Sequence, residues 1–180
     1  MHEDLIQQIR KRVAAPAAAT DRVGVRRPTV GPRLTEQDIG TAERELGFRI
    51  PGLLKEIYTR IGSGGFGPGY GLLSLNAVTK GNQGHNAIEL YRLYKRADPD
   101  DPAWIWPEGL LPICHLGSAV YSCVDCQAHG VPVIIFDPNV PADSWPPCFI
   151  PQGNTLESWL KAWVDGVDLW PEVAGNSRER

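Results

Sequence analysis

A chain of 180 residues fits one domain with a terminal extension, and 42% hydrophobic residues with six tryptophans can build a core. It holds no run of about 18 apolar residues, which excludes a membrane-spanning helix, and the mixed charges of Met1–Arg12 are unlike a signal peptide. The net charge of -3 is unevenly spread: residues 98–172 carry eleven acidic groups against Lys161 alone, which argues against nucleic-acid binding by that half because phosphates would be repelled.

The elements follow in chain order. Residues 1–13 predict a short helix with Leu5, Ile6, Ile9 and Val13 on one side. Residues 14–33 mix alanine, proline, glycine and arginine and read as a linker or mobile arm. Residues 1–33 carry seven basic and three acidic groups, and Arg22, Arg26, Arg27 and Arg33 are better read as solvated than as a nucleic-acid site. Thr35 and Asp38 have capping-box spacing, and Ile39, Ala42 and Leu46 recur on one helical face. Gly47 supplies a left-handed stop. An extended Phe48–Pro51 link follows, with Pro51 at a first helical position. Leu53, Leu54, Ile57, Tyr58 and Ile61 stripe the next helix, which Gly62 ends.

The glycine-rich turn Gly62–Gly71 then feeds a first strand, Tyr70–Leu75. Asn82–Gly84 reads as a turn. Ala87–Ala97 predicts a helix with Ile88, Leu90, Tyr91 and Tyr94 inward, broken by Asp98-Pro-Asp-Asp-Pro102. Leu110–His115, Ala119–Asp125 and Val131–Asp137 predict strands. Trp145–Ile150 predicts an edge strand, since Pro146 and Pro147 cannot donate to a ladder. Thr155–Val164 predicts a closing helix, capped by Asn154 or Thr155, with Leu156, Trp159, Leu160 and Trp163 at helical spacing. The order implies an α+β fold with a mostly antiparallel, twisted sheet. Residues 1–33 are expected as a helix and flexible basic arm, 34–172 as the domain, and 173–180 as a disordered tail. Because the arm has few apolar groups, the core is expected within 34–165.

Several patterns raise the question of chemistry. Gly62-x-Gly64-x-x-Gly67 formally matches a dinucleotide fingerprint, but it follows a helix and leads towards a strand, and no phosphate-loop lysine follows. Cys123 and Cys126 have a two-residue gap, with Cys114, Cys148, His115 and His129 as conceivable further zinc ligands; a second close pair is lacking. Cys123, His115 and Asp125 could be written as a nucleophilic trio, although chance proximity in sequence carries little weight. The reading expects no catalytic, cofactor-binding or metal-binding residue and no enzyme. Trp104 and Trp106, presented by a loop behind acidic groups, are the best candidates for interface anchors.

Leu34–Pro51, the Tyr58 helix, Gly62–Gly71 and Leu72–Leu75 together resemble a known family signature. The resemblance resumes at Pro112-Ile-Cys114, Gly117 and Tyr121–Asp125 and ends at Leu156–Leu160. It is to the SUKH superfamily, which includes fungal cell-wall regulators of the Smi/Knr type and bacterial toxin-immunity proteins. It implies a SUKH-like α+β fold, with helices on the N-terminal side of the sheet and one at the C-terminus.

It also implies a non-enzymatic immunity-type binding protein that occludes a cognate toxin. Nuclease toxins are one such class, basic because they bind phosphate. The partner expected is a basic protein toxin, with no nucleic acid and no membrane, in the cytoplasm, where the four cysteines stay reduced. Asp98, Asp100, Asp101, Asp125, Asp137 and Asp143 are expected to meet the partner's basic groups, with Trp104 and Trp106 as apolar anchors. A regulatory or scaffold role within the superfamily, and a small zinc-binding or hydrolytic enzyme, are the alternatives.

Overall fold

The computed structural model describes residues 2–15, 30–76, 84–96, 98, 104–139, 148–167 and 169. Among them the chain forms helices α1 (Glu3–Ala14), α2 (Glu36–Leu46), α3 (Gly52–Arg60) and α4 (Ala87–Tyr94), strands β1 (Leu110–Gly117), β2 (Val120–Asp125), β3 (Pro132–Phe136) and β4 (Phe149–Thr155), and helix α5 (Leu156–Val164). The fold is α+β. The sheet runs in the order β1-β2-β3-β4 with every pairing antiparallel, as expected for consecutive strands joined by short turns. No helix of the described residues is long and apolar enough to cross a membrane.

The helix ends follow local chemistry. Thr35 accepts the Asp38 amide and Asp38 accepts the Thr35 amide, a reciprocal capping box that satisfies two otherwise orphaned donors. Asn86 with Glu89 and Thr155 with Ser158 repeat it at α4 and α5. Gly47 closes α2 at φ 82°, a conformation that costs a side-chain-bearing residue energy. Pro51, expected at the first helical position, stands instead at the N-cap of α3, one residue before Gly52.

Between α2 and α3 the chain turns around one carboxylate. Glu43 accepts the Ile50 amide at 2.9 Å and Arg49 at 2.8 Å, and pairs with Lys55 Nζ at 2.6 Å. Burial alone would raise its pKa. The Lys55, Ile50 and Arg49 contacts outweigh that and hold it below the usual carboxylate value. The extended Phe48–Pro51 link is therefore fixed by a side chain of the preceding helix.

Two expectations are corrected. Tyr70–Leu75 is not a regular strand: it makes a single bridge, Leu72 to Cys114. The Leu72 amide returns to Phe66 O at 2.7 Å and its carbonyl accepts the Gly65 amide, so ladder groups are consumed in closing the glycine-rich loop on itself. The segment still covers the β1 edge, through Tyr70 N–H to His115 O and Leu73 N–H to Ile113 O. Gly62, read as a helix stop, is needed for close approach instead. A Cβ there would lie 2.5 Å from Gly31 O and from Val30 Cγ1, where residues 30–32 strap across the turn through Gly31 N–H to Gly64 O and Ser63 N–H to Pro32 O.

The core also extends beyond 34–165. Leu5, Ile6 and Ile9 of α1 are buried in the same cluster as Leu54, Ile57, Ile113 and Trp163. Arg10 donates to Arg60 O, the C-terminal residue of α3; Arg12 donates to Val164 O of α5 and stacks 4.8 Å over the Trp163 ring. The last strand begins at Phe149; Trp145–Pro147 lie outside the described residues, as do Ala97, the first two residues of the Asn82–Gly84 turn, residues 16–29 and the 173–180 tail.

Candidate functional site

Strand alternation assembles the most distinctive cluster of the molecule. Tyr121 pairs with Phe136, and Phe136 with Phe149, across three strands on one face of the sheet. Tyr94 at the end of α4 and the Trp104–Trp106 segment close over them. The Tyr94 and Trp106 rings stack at 4.7 Å; Phe136 meets Tyr94 and Trp106 at 5.0 Å each; Phe149 lies 5.4 Å from Trp106 and 6.5 Å from Trp104. Both indole N–H groups are anchored, Trp104 to Tyr94 O and Trp106 to Leu110 O, each at 2.8 Å. Burial raises the phenol pKa of Tyr94 and Tyr121, so both remain neutral.

The two tryptophans have different fates. Trp106 is 4% exposed and belongs to the core. Trp104 is half-buried at the rim, and between them Ile105 is 76% exposed. An extended Trp-Ile-Trp triplet sends its outer residues to one side and its middle residue to the other. That alternation was present in the sequence, and weighing only the aromatics missed Ile105.

Among the described residues the acidic candidates Asp98, Asp125 and Asp137 have separate settings. Asp98 is exposed behind α4, and Asp100, Asp101 and Asp143 lie outside the described residues. Asp125 is half-buried, with Oδ1 accepting the Gln127 and Ala128 amides at 3.0 Å each, which closes the turn after β2. Asp137 is 8% exposed, with Oδ1 accepting the amide and the side-chain nitrogen of Asn139. These two carboxylates thus have local work as turn residues. Glu108, beside the tryptophan segment, pairs with Lys95.

The cysteines are core residues. Cys114, Cys123 and Cys148 are buried and all four are free thiols. Burial pushes Cys126 and Cys148 up to about 12 and Cys123 well above its ordinary value. Burial also lowers the His115 pKa. A thiolate–imidazolium pair needs the reverse of both shifts, and the Asp125 Oδ1 is held by turn amides. Among the described residues no three His, Cys, Asp or Glu side chains come together as a metal site.

With this geometry in view, the comparison with protein families is specific. The model of the SMI1 / KNR4 family (SUKH-1) matches residues 33–161, and the chain belongs to that family. The match opens just before the Thr35 cap and closes within α5, so it contains the sheet and the aromatic cluster but not α1. No curated protein and no solved structure matches the chain.

Proposed function

We propose that this protein is an immunity-type binding protein that neutralises a cognate, basic toxin domain by occluding it, without turnover. The observation that carries the reading is Ile105. It is the most exposed large apolar side chain of the described residues, held between two indoles pinned to backbone carbonyls. A rigid apolar tip needs little ordering on binding, which favours affinity. It projects from the half of the chain that carries eleven acidic groups and one lysine between residues 98 and 172, so a partner with basic groups around an apolar pocket fits it. Family membership supports a binding role, and the shifts at Cys123 and His115 run against nucleophilic catalysis.

The contact groups on this reading are Ile105, Trp104 and Asp98, with Asp100, Asp101 and Asp143, which lie outside the described residues, as further acidic candidates. Trp106 supports Trp104 from inside, while Asp125 and Asp137 are held at their own turns. The test is co-expression with a toxin domain encoded next to this gene, followed by surface binding kinetics. Ile105→Asp is expected to abolish rescue of growth, and Trp104→Ala to speed dissociation by roughly the 2 kcal/mol of an interface hot spot. Reversing Asp98 to lysine should slow association at low salt, where screening is weakest. Rescue and binding that survive Ile105→Asp, at a rate independent of salt, would overturn the proposal.

A further inference from the structure

His115 does nothing for the aromatic cluster's partner face, yet its setting is unusual. It lies on β1, is 5% exposed, and its buried Nδ1 has no hydrogen-bond partner among the described residues. An unpaired polar atom in a core is destabilising, so this one calls for an explanation. The imidazole is held between two tyrosine rings. Tyr121 of β2 lies 4.9 Å away on one side and Tyr70 of the glycine-rich loop 5.0 Å away on the other.

The two covers differ. Tyr121 is buried in a central strand, hydrogen-bonded to Tyr94 and packed under the cluster. Tyr70 is 40% exposed and is attached by its amide to the carbonyl of His115 itself. On either side of it stand Gly69 and Gly71, both at positive φ, and Gly67 and Pro68 precede them. Gly71 N–H to Pro68 O, within the tip, and the Cys114 thiol to Pro68 O tie it further; Gly67, Pro68 and Gly71 are buried, and a Cβ at Gly69 would lie 2.7 Å from His115 O, so Tyr70 is the exposed member.

We propose that Tyr70 and the loop tip Gly67–Gly71 form a pH-sensitive flap, latched over the neutral His115 imidazole and released when that ring takes up a proton. A buried imidazolium would need water or an anion. Tyr70 and Tyr121 are the titratable groups that face it, both neutral phenols, and burial is the only influence acting on its titration, with no charged side chain to offset it. Stacking against two neutral phenol rings does not replace the hydration that a buried ion loses. Swinging the exposed Tyr70 ring outward hydrates the imidazole without breaking a strand pairing, whereas moving Tyr121 would break its pairing with Phe136. The sign follows. A histidine whose folded pKa is lowered leaves stability intact above the unfolded value, near 6.5, and the latch weakens as pH falls through that value towards the lower folded one.

The test is amide hydrogen exchange on the full chain at about pH 7.5 and pH 5, corrected for intrinsic rates, alongside nuclear magnetic resonance titration of the histidine rings. Protection at the Tyr70 amide should fall roughly tenfold or more at the lower pH, while the Leu73 amide, outside the flap, and amides of the β2–β3 pairing change less than about twofold. His115→Phe, which keeps a flat ring between the tyrosines, should remove the pH dependence. If that variant does not fold, the wild-type chain still decides, because imidazole protonation and loss of Tyr70 protection must share one midpoint. Equal protection at both pH values, an identical pH response in folded His115→Phe, or a protonated His115 beneath a still-protected Tyr70 would each overturn the flap.

Discussion

Two regions of this molecule fix distant segments by opposite means. The α2–α3 corner is locked by charge: Glu43 gathers Arg49, Ile50 and Lys55 around one carboxylate. The C-terminal half is locked by rings: Tyr94, Trp104, Trp106, Phe136 and Phe149 meet at 4.7–6.5 Å across α4, the tryptophan segment and two strands. The ionic lock is economical, since one residue orients a whole link, but it depends on pH. The aromatic lock depends on buried area and shape, and it leaves the surrounding surface free to carry acidic groups. The region proposed to meet a partner is therefore built on the element least sensitive to salt and acidity.

The largest expected effect breaks the aromatic lock. Trp106→Ala removes a buried indole and its contacts with Tyr94, Phe136 and Phe149, and should lower the unfolding free energy by about 3–5 kcal/mol in urea titration. A loss below about 1 kcal/mol would mean that the cluster is peripheral to stability.

Glu43→Gln sharpens the other side. It keeps an acceptor for Ile50 but loses the charge-assisted contacts to Lys55 and Arg49, for an expected cost of about 1–2 kcal/mol near neutral pH. Because the Glu43 pKa is lowered in the fold, that stabilisation is complete above the ordinary value of 4.5 and is lost as pH falls through the folded one. Wild type and variant should converge in acid. A constant gap down to the acid transition would show that the charge is not what locks the corner.

Two substitutions compare both kinds of attachment within α1, and the second of them is the smallest effect expected. Ile9 is fully buried, and Ile9→Ala should cost about 2–5 kcal/mol. Glu3, exposed and paired with Arg60, should tolerate Glu3→Gln with little change in midpoint. Equal, small effects would return α1 to the status of a dispensable arm.

Legibility in the sequence tracked the range of the interaction. The Thr35 and Thr155 caps could be read because their partners stand three residues away. The alternating signal of β1 and β2 was blunted because nearly every residue of both strands is buried, so both sheet faces are covered. The Tyr70–Leu75 segment misled because its composition suits a strand, while its ladder groups are consumed within the glycine-rich loop. Asp137 is the exception: its carboxylate holds Asn139 two residues on, a turn that Asp-Pro-Asn announces locally, and its charge alone suggested a partner group.

By itself, then, the sequence determined the family, the presence and order of the helices, the antiparallel α+β plan and the acidic character of the C-terminal half, since each rests on short-range spacing or on composition. Only the tertiary structure decided that Trp106 faces inward while Ile105 faces out, that α1 joins the core, and that His115 lies unpaired beneath Tyr70. Those outcomes depend on which surfaces meet once strands and helices have formed, and burial of a side chain is a property of its neighbours in space rather than of its neighbours in the chain.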